Sequence, residues 1–292
     1  MITLCALAAV AVLVQGRVHD KPFWQTIVQA KFEVPAGETA AKLAGELVTY
    51  LGSPDPELRD DLATTIMTSW IYDKKLLNAD DLRPLMLTLR QNLRSNIEIA
   101  DTDTTLLRSF SALTLSIVAA RENVAPFMTA SEYSELLDSA LAYLHDERDT
   151  RGYDAQRGWI HSAAHTADLL KFLARNPKLP PGGQARILSA LLAKNRDARA
   201  PFSQGEDERM ARVVISIVRR DDFDRTAFTT WLDAAKDTAS FPQKPTVDQL
   251  RAHQNVRHLL SALWAELSVD ERPSPGAEFA RTALKETLKK LY

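Results

Sequence analysis

His161, His165 and Asp168, in the stretch RGWIHSAAHTADLL, have the residue types and spacing of a metal or acid–base site. At about 100° per residue, His165 lies about 40° from His161 and Asp168 about 20° to the other side. A helix over 159–175 therefore carries all three on one face. Two imidazoles at i and i+4 suit zinc, and the carboxylate serves as a third ligand or orients one imidazole. The same face runs into Phe172, flanked by Leu169 and Leu173, so the competing expectation is a hydrogen-bonded core.

A second group follows in GEDERMARVV. Glu206, Asp207 and Glu208 fall in the first turn of a helix, where the dipole favours anions. Arg209 and Arg212 come next, and form either a local ion-pair network or a bidentate grip on a carboxylate or phosphate. The linker YLHDERDTRGYDAQRGW, residues 143–159, precedes the histidines. Its Arg151, Tyr153, Arg157 and Trp159 line a pocket over the trio, or Tyr153 and Trp159 simply plug the loop onto the core. Gly152 and Gly158 give that loop backbone angles closed to other residues. Other signatures are absent: there is no phosphate loop, HExxH, CxxC or GxSxG. Ser109 and Ser111 sit within a helix, a poor place for a catalytic serine. His253 and His258, five apart, point to different faces.

The elements that must hold these residues are helices. Apolar residues recur at helical spacing after residue 35, and no sustained alternation argues for a sheet. Leu58, Leu62, Ile66 and Trp70 mark one helix, started by Asp55 and Pro56. Others follow on Leu82 to Leu93, Leu106 to Ile117 and Leu136 to Leu144, then over 159–175, 184–195, 206–219, 224–236, 246–267 and 275–291. Thr129 with Glu132, and Thr246 with Gln249, have capping-box spacing, and Ser274–Pro275 reads as a cap followed by an N1 proline. The fold class is all-α, with about ten to eleven helices joined by short turns in an α-α superhelix of the HEAT or armadillo kind. A compact bundle or α/α toroid stays open, because no tight repeat is visible. Residues 17–292 read as a single domain.

The 36 basic and 38 acidic side chains are spread along the whole chain. No basic stripe exists for phosphate backbones, which excludes nucleic acid as a partner. MITLCALAAVAVLV carries no charge and is too short to span a membrane, but it fits the apolar region of a signal peptide over residues 1–16. Cleavage implies a secreted or periplasmic protein, and retention a cytoplasmic one. Cys5, the single cysteine, lies inside that segment, so no disulfide framework is available.

Taken in order, LGSPDPELRDDLATTIMTSWI, LLRSFSALTLSIVAA, the 143–170 stretch and GEDERMARVV resemble the bacterial domain-of-unknown-function family DUF2785 over roughly residues 40–265. The resemblance implies a single all-α domain. It places Arg108, Gly158, Trp159, His161, His165, Asp168, Glu206, Asp207 and Arg209 at family-motif positions, and brings no activity with it. Two functional expectations follow. One is a binding or scaffold protein that presents a concave polar face, built from 143–168 and 205–212, to a peptide, protein or small anionic ligand, without a cofactor. The other is a hydrolase in which His161 and His165 hold zinc or act as acid and base, Asp168 orients a ring, and Arg209 binds an anionic substrate group.

Overall fold

The computed structural model describes residues 19–241 and 243–291. The segment read as a signal peptide lies outside them. The described residues form twelve α-helices and one two-stranded ribbon, so the protein is all-α. The helices are α1 (Lys21–Gln29), α2 (Ala40–Tyr50), α3 (Thr65–Thr68), α4 (Ala79–Asn92), α5 (Thr104–Val124), α6 (Ala130–Asp146), α7 (Ser162–Arg175), α8 (Gly183–Asp197), α9 (Glu206–Val218), α10 (Arg225–Ala239), α11 (Val247–Ser268) and α12 (Pro275–Leu291). α3 is flanked without a break by π-type turns, Glu57–Thr64 and Ser69–Asp73. This whole run carries the face of Leu62, Ile66 and Trp70 into the core.

The helix starts follow from side-chain caps. Asp55 Oδ1 accepts from the amides of Glu57 and Leu58. Thr129 and Glu132 form the reciprocal box at α6, as Thr246 and Gln249 do at α11. A third box, Asn78 with Asp81, opens α4. Each box satisfies two amide donors that a helix start leaves orphaned.

From α5 onward the helices alternate between two layers. α5, α7, α9 and α11 pack side by side in one, while α8, α10 and α12 form a row behind them that α6 joins through α8. One apolar cluster extends from Trp24 to Leu284 through both layers. This alternation is compatible with stacked helix pairs, in which each amphipathic helix buries its stripe against the next pair. Among the described residues no helix is long and apolar enough to cross a membrane.

Among the described residues there are twelve helices, close to the ten to eleven expected, the addition being a short helix, α1, that Asp20 starts on residues before the periodic pattern begins. One expectation is corrected here. The helix expected over 159–175 starts only at Ser162: the segment before it turns back as a hairpin, β1 (Tyr153–Asp154) against β2 (Gly158–Trp159). His161 is then the N-cap residue, with left-handed angles of φ 50° and ψ 35°.

Candidate functional site

The site is built from α5, the hairpin, and the starts of α7 and α9. His165, in the first turn of α7, places its Nδ1 2.9 Å from Ser109 Oγ of α5. Ser109 also donates to the carbonyl of Ile160. A carbonyl only accepts and a hydroxyl has one proton, so His165 donates Nδ1–H to Ser109 and keeps its lone pair on Nε2. Ser109 therefore orients the ring and is not an activated nucleophile. Burial pushes the His165 pKa well below its ordinary value; His161, Arg209 and Arg59 add to the effect and the Ser109 contact opposes it. The ring is neutral at physiological pH.

His161 reaches the same region from outside the helix. Its amide donates to the Arg151 carbonyl and its own carbonyl accepts from His165 N, which joins the hairpin to the first turn of α7. The left-handed backbone costs a non-glycine residue about 1 kcal/mol. Its Nε2 stands 3.4 Å from Glu206 Oε1, at ion-pair distance but without hydrogen-bond alignment, so this buried nitrogen has no hydrogen-bond partner. Burial raises the Glu206 pKa, but the His161 ring and the amides of Gln204 and Glu206 outweigh it and hold the carboxylate below its usual range. Glu206 Oε2 accepts from Gln204 N.

These rings belong to a ladder that runs from solvent to core. Tyr153 meets Trp159 edge-on at 5.1 Å, and Trp159 stacks on His161 at 4.6 Å with planes 18° apart. His161 meets His165 at 5.8 Å, and His165 meets Phe110 at 4.8 Å. The Arg59 guanidinium lies over the Phe110 ring, 4.5 Å from its centroid. Tyr153 and Trp159 remain 54% and 42% exposed, while His161 and His165 are each 6% exposed.

Arg59, fully buried, clamps the hairpin from the π-type turn before α3. Its Nη2 donates to the carbonyls of Arg157 at 2.6 Å and Trp159 at 3.2 Å, its Nη1 to Ser53 O, and its Nε to Asp60. Gly158 sits beneath with φ +68°, and a Cβ there would lie 3.0 Å from Pro56 Cβ and 3.4 Å from Arg59 Nη2. Burial pushes the Asp60 carboxyl up to about 6, against the pull of Arg59. From the other side, Gln204 accepts from Tyr153 N and fills the space a side chain at Gly152 would need.

The remaining sequence-predicted residues are deployed differently. Asp168 is paired with Arg209 and Lys171, so it orients neither imidazole and Arg209 is not a free cation. Arg151 folds back on the buried Asp149 and donates to Thr102 O. It braces the loop and does not line a pocket over the histidines. Asp207 lines a groove with Glu208 and His258 between α9 and α11. Among the described residues, no three His, Cys, Asp or Glu side chains converge in a way that could hold a metal ion. What the structure does bring together is the two polar segments: Tyr153 with Gln204, His161 with Glu206, and Asp168 with Arg209.

Arg59, Phe110 and Gln204 belong to the site although no motif in the sequence marks them for it. Arg59 carries one usable signal, since it shares the i, i+3, i+4, i+7 stripe of Leu62, Ala63 and Ile66, all buried. A charge inside an apolar stripe requires partners from elsewhere in the fold. Nothing in the local sequence around Gln204 distinguishes it.

Fold and site together define an all-α protein whose helices hold a short, partly exposed aromatic hairpin. The family model for the protein of unknown function DUF2785 matches residues 93–265, more than half of the chain, and the chain belongs to that family. No curated protein and no solved structure matches it.

Proposed function

We propose that this chain is a binding protein that takes a peptide or protein segment on the face made by the hairpin and the start of α9, with Tyr153 and Trp159 as anchors. The observation that carries this reading is the clamp. A fully buried arginine, a glycine at positive φ and a glutamine from another segment all fix a ribbon of two two-residue strands whose aromatic side chains face water. Core packing alone does not require this, since the rings themselves are half exposed. Large rings held rigid lose little conformational entropy when a partner docks, and such residues concentrate binding energy at protein interfaces.

The hydrolytic reading has less support. His165 has its Nδ1–H committed to Ser109, both rings are nearly closed to solvent, and Asp168 and Arg209 are paired with each other. A display selection of random peptides on the immobilised chain tests the binding reading, followed by titration of the recovered peptides. Peptides that bind wild type should lose roughly tenfold or more in affinity for Trp159→Ala, with the melting temperature little changed. Recovery of no binding peptide, or equal affinity for Trp159→Ala, overturns it.

A further inference from the structure

A separate cavity of about 410 Å³ opens between the end of α6 and the end of α8, with no hairpin residue in its wall. Its wall includes Lys194, Arg148, Arg199, Thr150, Glu147 and Asp197. Lys194 is 7% exposed, and its Nζ donates to the Glu147 carbonyl at 2.5 Å, which uses one of the three N–H donors of an ammonium. Arg148 and Arg199 are exposed, and neither has a carboxylate or other polar partner among the described residues. The acids on the same wall are already matched. Glu147 holds the buried Arg108 through both oxygens, and Asp197 holds Arg196.

Three cations line one cavity with no ion-pair partner among the described residues, beside the carboxylates of Glu147 and Asp197 that are already paired with Arg108 and Arg196, while the C-termini of α6 and α8 contribute only about half a negative charge each. Burial pushes Lys194 down to about 8, with Glu147 and Asp149 opposing, so the ammonium is mostly charged at neutral pH but lacks a direct carboxylate partner. A larger groove, beside the end of α7, also contains arginines, but there Arg219 and Arg220 are paired with Asp270 and Asp222.

The geometry points to a binding site for a small polyanion at this cavity, a metabolite-sized molecule carrying carboxylate or phosphate groups, gripped by Lys194, Arg148 and Arg199. Pockets of this volume hold such ligands, and guanidinium pairs suit planar or tetrahedral oxyanions. The site is independent of the peptide face and stands or falls without it.

Isothermal titration of the full chain with sodium phosphate, and separately with sodium citrate, tests the assignment at neutral pH in low-chloride buffer. Saturable binding of one of them is expected, weakened about tenfold or more in the double variant Arg148→Ala, Arg199→Ala, whose sites are exposed and whose fold is checked by circular dichroism. Lys194→Met gives the same direction where it folds. Phosphate alone binding assigns a phosphoryl ligand, and citrate alone a carboxylate one. Absence of saturable heat with both anions, or affinities unchanged in the double variant, overturns the site.

Discussion

Arg59 shows how individual residues decide the site. A guanidinium fully removed from water costs several kcal/mol unless its donors are met, and here Asp60 and three carbonyls meet them. Two of those carbonyls belong to the hairpin, about 100 residues away in sequence. The charge therefore favours one hairpin position over any other. His165 is the opposite case, a buried ring kept neutral. Its folded pKa is depressed, so below its unfolded value near 6.5 the unfolded chain binds a proton that the native chain does not, and stability is lost as pH falls. Asp60 acts with the other sign: its pKa is raised to about 6, so its contribution is present in acid and lost as pH rises from about 4 towards 6. Comparison with His165→Gln separates the two. Between pH 6.5 and 5.5, wild type should lose about 1 kcal/mol more than the variant in urea unfolding, and identical profiles would show that His165 is protonated in the fold.

At the scale of elements, caps and hydrophobic stripes do most of the specification. The box of Thr129 and Glu132 is coupled to tertiary structure, because Glu132 also accepts from Arg83 of α4, which in turn donates to Phe127 O. Thr129→Ala should destabilise the chain by about 1 kcal/mol and lower its melting point by about 2 °C, leaving the Arg83 bond in place. No shift in a calorimetric scan would mean the box contributes nothing. These local signals are why most helices were legible from sequence: α6 and α12 start where their caps say they should. The start of α7 was not legible. Helical spacing places His161 in register with His165 and Asp168, yet the chain ahead of Ser162 is held as a hairpin by Arg59 and Gln204, contacts that arise only in the folded molecule. The grouping of the candidate site was half legible for the same reason. The sequence brings out the two polar segments, and the fold decides that Glu206 meets His161 while Asp168 is taken by Arg209.

At the scale of the molecule, the two-layer packing sets α5, α7 and α9 side by side, so that Ser109, His165 and Glu206 come from three neighbouring helices. The family match begins at residue 93, but the clamp on the hairpin comes from Arg59, ahead of it. The first helices are thus mechanically part of the site, and the clamp should make the hairpin a rigid platform despite its exposure. The most direct test is the ¹⁵N relaxation of the backbone amides from Tyr153 to His161 in the full chain. With Arg59 and Gln204 holding the hairpin, order parameters near about 0.85 are expected, as in the surrounding helices; values below about 0.6, those of a mobile loop, would show that they do not hold it.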